Sequence, residues 1–92
     1  MRITLTERFQ KDIPALPESS KAQVFSTILK IPVAVKDIHR HSGIGIRKIH
    51  PSGIFEARVG LGLRIVFGYD EDVLVLHRVG SHDDIQRYLR GL

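Results

Sequence analysis

The sequence predicts an α+β domain: a small antiparallel β-sheet packed against two N-terminal helices, with a short C-terminal helix. Three observations predict it. Before Pro32 the apolar residues recur at helical spacing. After Gly45 they alternate with a period of two. Turn-forming residues then cut the second half into runs of five to seven residues, the usual length of a strand. With 92 residues, 42% of them hydrophobic, the chain has the size and apolar share of a single domain spanning 1–92.

Residues 1–5 read as a first strand. Thr6 is placed as an N-cap, ahead of Phe9, Ile13 and Leu16 on one helical face. Pro14 and Pro17 confine that helix to 7–16. Residues 18–31 read as a second helix, with Val24, Phe25, Ile28 and Leu29 as its apolar stripe and Pro32 as its stop. Residues 33–45 read as mostly loop. Strands follow over 46–50, 54–60, 63–69 and 73–79, joined by Pro51-Ser52-Gly53, by Leu61-Gly62 and by the acidic Asp70-Glu71-Asp72. The last strand is apolar almost throughout, which suits an interior position. Gly80 breaks it, and Ser81 or Asp83 caps a final helix ending at Leu89 or Arg90.

Composition excludes several classes of function. There is no cysteine, hence no disulfide framework and no thiolate metal site, which fits a reducing cytosol. Arg2, Glu7 and Arg8 charge the N-terminus and no signal-peptide apolar core follows, so the expected location is cytoplasmic. No run approaches the roughly 18 apolar residues of a membrane span. The net charge of +4 is unevenly placed. Residues 36–68 hold six basic and two acidic side chains, whereas residues 69–92 hold three basic and five acidic. The middle segment is therefore the one suited to a polyanion.

Arg58 and Arg64 stand on adjacent strands across a short turn. Arg64 interrupts an apolar strand, and Glu56 is the carboxylate nearest in sequence to Arg58. The pair reads either as a solvated, ion-paired face or as a phosphate clamp, since guanidinium groups bind phosphate bidentately. His82 and Tyr88 form a second pair at the start and near the end of the last helix. They suit proton handling or base stacking, or alternatively a surface histidine and a helix-docking tyrosine. His39, Arg40, His41 and His50 lack a cysteine or a well-placed carboxylate, so no metal site is expected. Gly43-Ile44-Gly45 lacks the third glycine and the ending of a phosphate loop.

The ordered set resembles the RelE/ParE superfamily of type II toxins. It comprises Gly53-Ile54-Phe55-Glu56-Ala57-Arg58-Val59, Leu63-Arg64-Ile65-Val66-Phe67, the apolar run from Val73, then Arg78-Val79-Gly80-Ser81-His82 and Tyr88. The N-terminal helices also fit, so the resemblance covers nearly the whole chain. It implies a toxin that cleaves mRNA on the ribosome without metal or cofactor, held in check by an antitoxin protein in a hetero-oligomer. It implies Arg58, Arg64, His82 and Tyr88 as catalytic residues, with Arg47, Lys48 and Arg78 binding RNA. Glu56 departs from members with a second basic residue at that position. That leaves two alternatives open: a ParE-like, non-catalytic inhibitor of DNA gyrase, or an orphan interaction module.

Overall fold

A computed structural model describes residues 1–36 and 43–92. The chain runs β1 (Arg2–Leu5), α1 (Glu7–Asp12), a 3-10 turn (Ile13–Ala15), α2 (Glu18–Lys36), β2 (Arg47–His50), β3 (Ile54–Val59), β4 (Leu63–Asp70), β5 (Val73–Gly80) and α3 (His82–Arg90). Thr6 caps α1 as its sequence position predicts, its hydroxyl accepting from the Phe9 N–H at 3.1 Å. Pro14 then tightens the chain into the 3-10 turn. At the other end Ser81, one of the two predicted caps, starts α3. Its side chain accepts from the Asp84 N–H while the Asp84 carboxylate accepts from the Ser81 N–H, a capping box. The Ser81 N–H and the Ser81 hydroxyl both donate to Asp84 Oδ2, at 3.0 and 2.9 Å, and hold the Asp84 carboxyl below its ordinary value.

The sheet order is β1-β5-β4-β3-β2. All pairings except β1–β5 are antiparallel; β1 joins in parallel, because the chain crosses the sheet through α1 and α2 before returning. One face carries Ala57, Val59, Ile65, Phe67, Leu74, Leu76 and Val79, packed with Phe9, Val24, Ile28 and Ile31 of the helices. Each such fully buried aliphatic or aromatic side chain contributes about 1.5–3 kcal/mol. The Phe55 and Phe67 rings stack at 5.7 Å between centroids. On the other face α3 crosses β4 and β5, and Val66 and Ile85 are buried outside the main core.

Two expectations fail in α2. Pro32 does not stop it: the helix continues to Lys36 with Pro32 inside. A proline removes one helical hydrogen bond, and the extra turn returns the burial of Ala34, the packing of Val35 and an ion pair from Lys36 to Asp72 at 3.4 Å. The buried stripe is Val24, Thr27, Ile28, Ile31 and Ala34, so Phe25 and Leu29 face outward at 49% and 73% exposure, with Val33 at 61% beside them.

The β4–β5 hairpin is tighter than the predicted three-residue turn. Glu71 and Asp72 form it, both at positive φ (47° and 65°), and Asp70 pairs with Val73. Such a conformation is strained for residues other than glycine. Asp72 offsets the strain through Lys36, through the Met1 ammonium at 3.5 Å, and through its carbonyl, which accepts from the Arg2 N–H at 3.0 Å. The Lys36 contact, aided by the ammonium, holds the Asp72 carboxyl below its ordinary value.

Because an interior proline costs a helix about 3 kcal/mol relative to alanine, Pro32→Ala is expected to stabilise the protein by about 1–3 kcal/mol in urea denaturation. A destabilised variant would show that the proline ring itself is needed where α2 meets the sheet.

Candidate functional site

Alternation along β3 puts Ala57 and Val59 in the core and Glu56 and Arg58 on the face away from α2. The β3–β4 register sets Arg58 directly opposite Arg64, and Arg64 is opposite Gly80 at the end of β5. One pleat further along, Arg47 opposes Glu56, Glu56 opposes Val66, and Val66 opposes Arg78. Four charged side chains thereby converge on one cleft of about 340 Å³, lined by Gly45, Ile46, Arg47, Glu56, Arg58 and Arg64.

Among the described residues Glu56 is the only carboxylate lining that cleft, and it is 5% exposed. It does not pair with Arg58, as its sequence position suggested. Residues two apart on a strand lie about 7 Å from each other, farther than cross-strand neighbours. The Arg47 Nε–H donates to Glu56 Oε1 at 2.7 Å, and Arg64 Nε lies 3.8 Å from the same oxygen. Among the described residues the Arg64 Nε–H is buried without a hydrogen-bond partner. A buried donor left unpaired costs about 1–3 kcal/mol, so Arg64 is held in place at the expense of the packing around it.

Gly45, in a stretch that lacks the pattern of a phosphate loop, completes the cleft. Its φ is +59°, and a Cβ there would lie 2.8 Å from Arg58 Nη2. The neighbouring Ile44 carbonyl accepts from the Arg58 N–H at 2.7 Å. A backbone segment outside the sheet thus braces both ends of Arg58. The two glycines around Ile44 were the available signal.

The other predicted residues divide. His82 begins α3 two residues beyond Gly80, at the Arg58–Arg64 end of the sheet. On a helix it shares a face with Gln86 and Leu89, which line a hollow together with Arg47 and Glu56. Tyr88 stands about 240° further round the helix from His82. It lines a separate cleft with Arg8, Arg78 and Arg87. Arg78 is 12% exposed and donates to Asp12 Oδ2 at 2.8 Å, an oxygen that also accepts from the Val79 N–H. Lys48 pairs with Phe55 and also lines the hollow of Arg47, Glu56, Gln86 and Leu89. His50 is bonded to Ser52 in the β2–β3 turn. His39, Arg40 and His41 lie outside the described residues. Among the described residues no group of three or more histidine, aspartate or glutamate side chains is placed to hold a metal. A roomier hollow of about 620 Å³ at the far end of this face holds Asp70, Glu71 and His77 but no arginine or lysine. Burial pushes the His77 imidazole below its ordinary value, which adds no cation there.

The fold that carries these residues, two N-terminal helices, a five-stranded sheet and a C-terminal helix, is found in other proteins. The RelE chain of a RelB–RelE antitoxin–toxin complex from Methanococcus jannaschii superposes with a TM-score of 0.68 at 21% identity, over 92% of this chain and 96% of that one. The chain has the fold of the RelE-type toxins. YafQ from E. coli matches with a TM-score of 0.69 at 16% identity, over 92% and 98% of the two chains. A chain of the RelBE2 toxin–antitoxin complex from Mycobacterium tuberculosis matches at 0.59 and 22% identity, over 88% and 96%. No protein-family model matches the sequence, and no match is found among curated proteins. The RelE-like architecture anticipated from the ordered strands is therefore observed in three dimensions, with its N-terminal helices, sheet and C-terminal helix in the expected places. No described helix is long and apolar enough to cross a membrane.

Gly45→Ala tests the cleft directly. The substitution strains the backbone and displaces the Arg58 guanidinium, and one charge-assisted contact is worth about 1.5–3 kcal/mol. A short single-stranded RNA titrated at low salt is expected to bind about tenfold less tightly to the variant. Unchanged affinity would place the RNA elsewhere.

Proposed function

We propose that this chain is the toxin of a type II toxin–antitoxin pair and an endoribonuclease that cuts mRNA on the ribosome. The observation that carries the reading is the Arg58–Arg64 pair lining one cleft across β3 and β4, on a RelE-like fold. RNA contains its own nucleophile, the 2′-hydroxyl, so cleavage requires positioning, charge stabilisation and proton transfer. Arg58 and Arg64 hold the scissile phosphate and stabilise the charge that builds on it. His82, on the face of α3 turned toward Arg47 and Glu56, serves as general acid for the departing 5′-oxygen. Arg47 extends the positive surface along the message. Tyr88 and Arg78 lie in the neighbouring cleft, so their part is contact with an adjacent nucleotide rather than proton transfer at the scissile bond. Lys48, which lines the same hollow as Arg47, adds to the attraction of RNA there.

The partner is an antitoxin protein, as the Methanococcus jannaschii neighbour has in its complex. An acidic segment suits the excess of positive charge over 36–68. The exposed Phe25, Leu29 and Val33 ridge on α2 adds an apolar track for it. The proposed site of action, the translating ribosome, places the protein in the cytoplasm.

Primer extension on a defined message, translated in vitro with the purified protein, tests the reading. The parent is expected to produce discrete cuts. Arg64→Ala is expected to lose about a hundredfold or more in rate, and Arg58→Ala less, because Arg64 is on the central strand and less exposed. His82→Gln is expected to lose about 10²–10⁴-fold. Arrest of DNA supercoiling with intact messages would favour the gyrase-inhibiting alternative, and inertness in both assays the interaction module.

A further inference from the structure

The roomier hollow at the far end of the outer sheet face takes no part in the cleavage scheme. We infer that it is a docking site for a protein partner, and that it receives an arginine side chain presented by that partner. The inference goes beyond the endoribonuclease reading and does not depend on it.

The hollow exists because a row of side chains lacks its middle member. The β3–β4 register sets Ile54 beside Gly68, and the β4–β5 register sets Gly68 beside Val75. The glycine leaves a slot between two apolar walls, with backbone as its floor. His77 closes one end. The β4–β5 ladder passes from Val66–Arg78 to Phe67–Leu76, so His77 is an extra residue on β5, the kind of bulge that re-aims a side chain. A Cβ on Gly68 would lie 3.3 Å from His77 Nε2 and 3.9 Å from the Gly53 carbonyl oxygen. Asp70 and Glu71 stand at the rim, and among the described residues no lysine or arginine lines the hollow.

Two of these residues are kept at a cost. A glycine inside a regular element is less stable than alanine by about 0.5–1 kcal/mol. Gly68 is not among the glycines at positive φ, so backbone geometry does not require it. A glycine within a strand marks a close approach by something else. Glu71 sits at φ 47°, a turn position that favours glycine or asparagine. The glycine holds the slot open and the glutamate sets a carboxylate on its rim, so both costs serve one hollow.

Charge complementarity and shape select the occupant. The rim is anionic, and burial keeps the His77 imidazole neutral by lowering its pKa. Together with the Gly53 carbonyl these groups accept hydrogen bonds and attract a cation. A guanidinium is flat and weakly hydrated, with donors along its edge. It lies between Ile54 and Val75 and meets a carboxylate with two parallel bonds. The compact, strongly hydrated ammonium of lysine suits the slot less well. The carboxylates repel a nucleic-acid strand. Arg64 and Asp70 are six residues apart along β4, about 20 Å, so the arginine cleft and the hollow are separate sites. Ile54, Val75 and His77 remain half-exposed around the slot. A free small molecule there would stay wet on one side, whereas an arginine carried on a protein surface brings the cover with it.

Amide NMR titrations of the full chain at low salt test the docking site with three acetylated tripeptide amides. One has arginine between two valines, one has lysine there, and one has citrulline, the neutral isostere of arginine. The arginine peptide is expected to give saturable shifts at Gly68, Glu71 and Val75. The lysine peptide is expected to bind about threefold less tightly, and the citrulline peptide to give no saturable shift. Asp70→Asn combined with Glu71→Gln is expected to weaken the arginine peptide about fivefold. Gly68→Val fills the slot with a residue suited to a strand, and is expected to abolish binding without lowering the melting temperature. A short single-stranded RNA is expected to shift amides around Arg58 and Arg64 and to leave Gly68 and Val75 unmoved. Equal responses to the arginine and citrulline peptides, no saturable shift at the hollow, or RNA shifts centred on Gly68 overturn the assignment. If Gly68→Val fails to fold, the carboxylate variant decides: undiminished binding of the arginine peptide to it overturns the assignment too. None of these outcomes bears on the endoribonuclease reading, which primer extension tests separately.

Discussion

The β3–β4 register places Arg58 directly opposite Arg64, and like charges so placed repel each other. Nothing in the pair itself holds it together. It is held because the same register buries Ala57 against Ile65 and Phe55 against Phe67 on the other face, and a slip of one residue would turn that core outward. The repulsion is reduced by Glu56, which lies within ion-pair range of Arg47 and Arg64, and by the Ile44–Gly45 segment, which fixes Arg58 from outside the sheet. The apolar core therefore sustains a pair of like charges that is unfavourable by itself. That is the sense in which fold and site are one problem here: the stability of one face supports the strain of the other.

The third helix gives the face its second feature. Capped by Ser81 and Asp84 and seated through Ile85, it divides the outer surface into two clefts. His82, Gln86 and Leu89 fall toward the strands bearing Arg47 and Glu56. Tyr88 and Arg87 fall toward Arg8 and Arg78. Arg78 is anchored by Asp12, whose carboxylate also accepts from the Val79 N–H, so one acidic side chain ties α1 to the end of β5. The helix thus separates the Arg47–Glu56 hollow from a cleft whose Arg8, Arg78 and Arg87 pair with Asp12 and Asp84.

Much of this was legible in the sequence, for identifiable reasons. Period-two alternation located the strands within a residue or two, and the cap residues Thr6 and Ser81 located two helix starts. Arg58 and Arg64 could be placed on adjacent strands because their turn is short. What failed had competing physics. Pro32 reads as a stop, yet tertiary burial of Ala34 carries the helix past it. Phe25 and Leu29 are as apolar as Val24 and Ile28, and only the sheet decides which stripe is covered. His82 and Tyr88 are close along α3, but their six-residue spacing turns them to different sides of the helix. The Arg47–Glu56 and Arg64–Glu56 contacts depend on cross-strand register, and Gly45 reaches Arg58 from outside the sheet; neither is written in local sequence.

The central claim is that the arginine cleft directs attack by the 2′-oxygen of RNA on its own phosphate. The chemistry of the cut ends measures this most directly. Messages recovered after incubation with ribosomes and the protein are expected to carry a 2′,3′-cyclic or 3′-phosphate upstream of the cut and a 5′-hydroxyl downstream, and a single 2′-deoxy nucleotide at the cut position is expected to abolish cleavage there. A 3′-hydroxyl paired with a 5′-phosphate, or undiminished cleavage at the 2′-deoxy position, would contradict the account.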